Sequence, residues 1–256
     1  MAFTNASSNG VKSGITNGKS NGHGAWVVLP HGQLEQLAEN LWWTWGSVPR
    51  KPLRRSMVVA RRRDGKLVVH NAVALDEAAM KELEALGKVG YIIVPSAAHR
   101  LDAPAFKRRF PKARVFTPRA ARKAVEKVVE VDGIYEDFPP DPDVRLEMLH
   151  GVRDAEGAMI VRSSDGITVV LNDAVFDMDA KGGLLGFVFT KLLGSAPGPR
   201  VSRLAKLLFV RNKKALRDDL ERYADHPDLV RLVVAHEKVA RGREAARALR
   251  TAAACL

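Results

Sequence analysis

HGVRDAEGAMIVRSSDGITVVLND, residues 150–173, is the stretch on which the reading of the fold turns. It opens on His150, which ends the apolar run Val144–Leu149, and it closes on Asp173, which ends another. Between them lie two β-rich runs, Ala158–Arg162 and Ile167–Leu171, joined by Ser163-Ser164-Asp165-Gly166. Asp-Gly between alternating apolar residues signals a hairpin, because its turn needs the positive φ that glycine adopts without strain. The stretch therefore predicts three strands, with a histidine leaving the first and an aspartate leaving the last. Strand ends are where α/β proteins hold ligands, since the sheet fixes position while the loop is free to vary.

The same placement recurs outward along the chain. His70 ends LVVH, His99 lies four residues past Tyr91–Pro95 (YIIVP), and His236 ends LVVAH. One strand-end histidine is usually bonded to a nearby carbonyl. Four of them with an aspartate point towards a metal or acid–base site.

The intervening pattern supplies the layers. Leu34, Leu37 and Leu41 have helical spacing, so Gln33–Leu41 is expected to be a helix, followed by the cluster Trp42, Trp43 and Trp45. Ser56–Arg61 and Lys66–Asn71 form a second predicted hairpin through Arg62-Arg63-Asp64-Gly65. Asp76 is a cap for a helix ending at Gly87, and Asp102 stands before Ala103-Pro104 at the start of another. Tyr91–Pro95 and Arg114–Phe116 read as strands, and Arg119–Val128 as helix. Later, Gly182–Val210 reads as two short helices around a Gly/Pro loop, Lys213–Tyr223 as a helix, Leu232–Ala235 as a strand and Arg243–Ala253 as a closing helix. Two halves of strands, each with helices outside, predict an α/β four-layer αββα sandwich. It is expected to span residues 25–256 as one domain, with an apolar helical insertion at about 182–210. Residues 1–24 are too polar to offset their ordering entropy and read as a disordered tail.

Composition narrows the function. The chain has 256 residues, 46% hydrophobic and 27% charged, which fits a folded globular protein. No apolar run is long enough to span a bilayer, and no secretory h-region occurs, so a cytoplasmic protein is expected. A single cysteine, Cys255, excludes a disulfide framework and a multi-thiolate metal site. The net charge of +12 favours anionic partners or substrates. Its basic residues are scattered, however, and no aromatic-and-basic strand motif is present, which argues against nucleic acid. No dinucleotide-binding, P-loop or nucleophile-elbow motif occurs.

The order His150, hairpin, Asp173, His236 resembles that of the metallo-β-lactamase superfamily over roughly residues 26–256. The resemblance implies an αββα sandwich with a one- or two-metal site at the mouth between the sheets, and hydrolysis of esters, thioesters, amides or phosphodiesters. His150, Asp173 and His236 match the family's third, fourth and fifth motifs. The second, H-x-H-x-D-H, is replaced by Ser96-Ala97-Ala98-His99-Arg100-Leu101-Asp102, and His70 stands where the family has its first aspartate. The resemblance thus implies a motif-reduced member. Its candidate ligands are His99, His150, Asp173 and His236 for one zinc or iron ion, with Asp102 as base or fifth ligand. Two readings stay open: a mononuclear hydrolase of a small-molecule ester, thioester or phosphoester, and a non-catalytic binding or scaffold protein with no metal. Each residue also has a plainer role: Asp102 as a helix cap, His150 as a strand-end residue bonded to a carbonyl. Leu184–Leu193 reads as a lid over the site or as a homodimer or membrane-surface contact.

Overall fold

A computed structural model describes residues 24–178, 194, 197–236 and 238–256. Most of the expected tail and the Leu184–Leu193 run lie outside these residues.

The first sheet has seven strands in chain order: β1 (Glu35–Ala38), β2 (Leu41–Val48), β3 (Lys51–Arg61), β4 (Leu67–His70), β5 (Val89–Ile93), β6 (Arg114–Thr117) and β7 (Gly133–Ile134). β1 to β4 pair antiparallel, and β4 to β7 pair parallel. The parallel part carries α1 (Glu77–Ala85), α2 (Ala103–Arg109) and the short α3 (Arg122–Val125) as crossovers. The second sheet contains β8 (Val144–Met148), β9 (Gly157–Ser163), β10 (Gly166–Val170), β13 (Leu229–Val233) and β14 (Val239–Arg241), in the order β14-β13-β10-β9-β8. β11 (Phe176–Met178) and β12 (Gly198–Arg200) form a separate ribbon, and α4 (Arg203–Leu208), α5 (Lys213–Ala224) and α6 (Arg243–Ala254) complete the chain.

Period-two alternation sorts the side chains into three apolar layers. Val58, Ala60, Val68, Tyr91, Ile93 and Phe116 of the first sheet meet Val144, Met159, Val161, Val170 and Val233 of the second. Their neighbours Met57, Val59, Leu67, Val69, Ile92 and Val115 point the other way, onto Met80, Leu83, Phe106 and Val125 of α1 to α3. On the far side, Ile160, Ile167, Val169 and Leu232 pack on Leu216, Leu220, Tyr223, Ala248 and Leu249. Helices, sheet, sheet, helices: this is the αββα sandwich. Among the described residues, no helix is long and apolar enough to cross a membrane.

Three local expectations change. The helix expected over Gln33–Leu41 is instead the hairpin of β1 and β2, turning at Glu39-Asn40. Leu37 and Leu41 do share a layer, but they reach it from two paired strands. The tryptophans that follow are strand residues: Trp42 faces the helices and Trp43 the inter-sheet core. In Gly182–Val210, Gly198–Arg200 is a strand, so only Arg203–Leu208 of the expected pair of helices lies among the described residues. Asp102 occupies the N-cap position of α2, yet its side chain makes no cap bond.

Candidate metal centre

The two sheets meet at the carboxyl ends of β4, β5, β10 and β13. The Ser56 N–H donates to the Ala235 carbonyl at 2.7 Å, a main-chain bond between the sheets. Asn71, just past β4, turns the chain with φ 56°, a conformation asparagine tolerates better than most residues. Its Nδ2 donates to the Ser56 carbonyl at 2.7 Å. In the loop after β5, the Ala98 N–H donates to Ser96 Oγ and the His99 N–H to the Ser96 carbonyl, each at 3.3 Å. This tight turn aims His99 back across the strand ends.

Three sequence-distant side chains converge there. His99 Nε2 lies 3.0 Å from Asp173 Oδ1, and His236 Nε2 lies 3.6 Å from the same oxygen. Each of the three offers a ligand atom within 4.8 Å of the others. His236 Nδ1 is 2.7 Å from the Arg54 carbonyl. A carbonyl only accepts, so Nδ1 carries the hydrogen, and in the neutral ring Nε2 keeps its lone pair on the Asp173 side. Phe176 stacks on the His236 ring at 5.1 Å between centroids, with planes 20° apart, and fixes its tilt.

Two carboxylates here are pushed in opposite directions. Burial opposes ionisation of Asp173, but the two imidazoles, His99 foremost, overcome it and hold this carboxyl below its usual range. Glu156, 1% exposed, is raised well above the usual range, by burial first and by the negative charge of Asp173 second. Glu156 accepts the backbone N–H groups of Asp173 at 2.8 Å and Ala174 at 2.6 Å, and so fixes the turn that presents Asp173. His70 is buried beside this group, with no hydrogen-bond partner for Nε2 among the described residues. Burial, with the charge of His99 second, pulls its pKa down to about 3, so the ring is neutral.

The donors suit a metal ion. Zinc or iron takes imidazole nitrogen and carboxylate oxygen at about 2.0–2.2 Å, which places adjacent ligands roughly 2.8–3.6 Å apart at angles of about 90–110°. The separations of 3.0 and 3.6 Å match that spacing. The hydrogen bond from His236 Nδ1 to a carbonyl is the outer contact that orients a metal-binding histidine.

The other two candidates sit elsewhere. His150 leaves β8, the outer edge strand of its sheet, two strands away from β10. Its backbone N–H donates to Asp219 Oδ2 at 2.6 Å, its Nδ1 lies 3.1 Å from the same carboxylate, and its side chain is 74% exposed. Gly151, at φ 77°, carries the chain so close to α5 that a Cβ would meet the Asn212 carbonyl at 2.2 Å. His150 is thereby tied to α5 rather than to the centre. Asp102 is committed to a buried ion pair with Arg55 and accepts the Ala74 N–H at 2.8 Å. Glu156, the Arg54 carbonyl and Phe176 were absent from the sequence reading. Glu156 did leave a signal: an acid directly before a buried strand needs a partner.

Residues 50–121 match a family described as a domain of unknown function, DUF4336. No curated protein matches the chain. Solved structures do. A metallo-β-lactamase from Erythrobacter litoralis is 13% identical with a TM-score of 0.58, covering 87% of this chain and 96% of that one. The DIM-1 metallo-β-lactamase is 11% identical with a TM-score of 0.60, covering 88% and 98%. A metallo-β-lactamase from Pontibacter korlensis is 10% identical with a TM-score of 0.56, covering 88% and 99%. With two sheets packed face to face, helices on both flanks and agreement over nearly nine-tenths of its length, this chain has the metallo-β-lactamase fold.

Proposed function

We propose that the chain is a metal-dependent hydrolase of a small ester, thioester or phosphoester, with one metal ion held by His99, Asp173 and His236. The observation that carries this reading is the convergence of these three donors on one point from the ends of three strands of two sheets. A bound zinc or iron with an open position lowers the pKa of its water to about 7 and polarises a carbonyl or phosphoryl oxygen. The protein's own groups prepare for that. The Arg54 carbonyl fixes the tautomer of His236, Phe176 fixes its plane, and Glu156 fixes the Asp173 turn. His150 and Asp102 are left out of this set.

A second reading, a binding protein without catalysis, is favoured by the short donor set and by Ser96, Ala98, Arg100 and Leu101, which stand where the motif H-x-H-x-D-H carries its ligands. Metal analysis of protein purified without chelator separates the two, together with turnover of p-nitrophenyl acetate and bis-p-nitrophenyl phosphate. The hydrolase reading expects about one equivalent of metal, lost in Asp173→Ala and His236→Ala, with turnover lost in parallel. Less than a tenth of an equivalent in the wild type, or equal turnover in wild type and Asp173→Ala, counts against it.

A further inference from the structure

Half of the large apolar side chains that stand exposed among the described residues lie on one short helix. Leu204, Leu207 and Leu208 of α4 are 40%, 73% and 58% exposed, and only Val27, Val28 and Leu101 join them. Spacings of three and four residues put the three leucines on one face. The helix is held in place from its other side. Ser202 caps it by accepting the Ala205 N–H at 3.0 Å, Ala205 is buried with Val201 and Val210 in the layer between the second sheet and its helices, and Lys206 Nζ donates to the Cys255 carbonyl. A single exposed leucine is ordinary, but three side by side on an anchored helix mark a surface that something covers.

The charge around these leucines says what covers them. Residues 198–217 hold seven Lys and Arg and no Asp or Glu. Arg203 and Lys206 lie within α4 itself, and Arg211, three residues past Leu208, has its Cα within about 11 Å of that residue's by chain length alone. Lys213 and Lys214 follow, both exposed. Leucines among cations, with no acid between them, are the pattern of a segment lying in the interface of an anionic bilayer: the apolar side chains enter the acyl boundary while the basic ones meet headgroup phosphates. Nucleic acid fits less well, since single strands are held by stacking on aromatic rings and the exposed side chains here are aliphatic. A second copy also fits less well, because two such faces would bring like charges together.

We propose that α4 is a peripheral membrane contact, which docks the protein on anionic phospholipid through Leu204, Leu207 and Leu208 and the basic residues beside them. With six residues, α4 lies on the bilayer and does not cross it. Docking of this kind does not depend on the chemistry at the metal centre.

The test is flotation of the full chain with vesicles of phosphatidylcholine alone and of phosphatidylcholine mixed with phosphatidylglycerol. The wild type is expected to bind the anionic vesicles at least tenfold more tightly than the neutral ones, and to lose that margin in high salt. In the double variant Leu207→Gln, Leu208→Gln, which keeps the helix propensity of leucine, binding to the anionic vesicles weakens at least tenfold with no change in the unfolding midpoint. Leu207→Trp binds at least as tightly as the wild type, since tryptophan suits the headgroup level. Each basic residue near such a surface strengthens binding about fivefold, so the triple variant Arg211→Gln, Lys213→Gln, Lys214→Gln binds about a hundredfold more weakly. Equal binding by the wild type and the double leucine variant, equal binding to both kinds of vesicle, or binding to neither overturns the inference. A midpoint lowered by several degrees in the leucine variant also overturns it, because the leucines would then be covered by this chain itself. So does a dimer that the same variant dissolves in the absence of vesicles, and so does binding of single-stranded RNA without binding of vesicles.

Discussion

Asp102→Ala discriminates sharply between a structural and a chemical role for this aspartate. Its carboxylate pairs with Arg55, and the two side chains are only 11% and 5% exposed. Arg55 also donates to the Ala72 carbonyl at 2.6 Å, and the Ala74 N–H donates to Asp102 at 2.8 Å. Truncation leaves a buried guanidinium with one neutral acceptor and a buried N–H with none. Breaking a buried pair from one side costs about 3–5 kcal/mol. The lost Ala74 bond belongs to the same carboxylate and is counted within that range. In a domain of this size about 1 kcal/mol moves Tm by about 2–4 °C, so Tm falls by roughly 10 °C. Urea denaturation followed by tryptophan fluorescence measures the change, and metal content is read on the folded fraction. Asp102→Asn, which keeps an acceptor oxygen for Ala74 but not the charge, falls between wild type and alanine. The folded variant retains its metal. A loss below about 1 kcal/mol refutes this reasoning. So does a variant of normal stability that no longer hydrolyses ester, which would return Asp102 to the chemistry.

Two further outcomes follow from the centre itself. Glu156→Gln turns an amide NH2 towards one of two backbone donors, so the Asp173 turn shifts and metal affinity falls about 10–100-fold, as read by competition with a chromophoric chelator. His70 is neutral in the fold, with its pKa lowered from 6.5 to about 3. Between those values the unfolded chain binds the extra proton, so the stabilisation is complete above pH 6.5 and is lost as pH falls, at up to about 1.4 kcal/mol per pH unit. Urea midpoints of metal-free His70→Phe therefore fall less steeply with acid than those of wild type. Parallel slopes would mean that the ring is solvated.

The sequence carried the layers because most strands stand out as short β-rich apolar runs and the helices as longer segments between them, at Asp76 with a cap whose side chain accepts the Ala79 N–H. It failed at Gln33–Leu41, where three leucines at helical spacing lie on two strands and the turn at Glu39-Asn40 has no glycine to mark it. At the centre, Asp173 and His236 were legible because they end strands in the middle of a sheet, and His99 because it follows one. His150 has the same local signature, but strand order decides where a strand end points, and no residue near His150 announces that β8 lies at an edge. Asp102 misled for a related reason: its partner, Arg55, is 47 residues away.

The bond from Ser56 to Ala235 and the contact of His236 with the Arg54 carbonyl join opposite halves of the polypeptide at the very spot where the donors gather. An ion seated there acts as a rivet through both halves. It resists sliding of one sheet over the other, and occupancy adds RT ln(1 + [L]/Kd) to stability. Neither half expressed alone owns a complete donor set, so metal uptake by mixed fragments reports their reassembly.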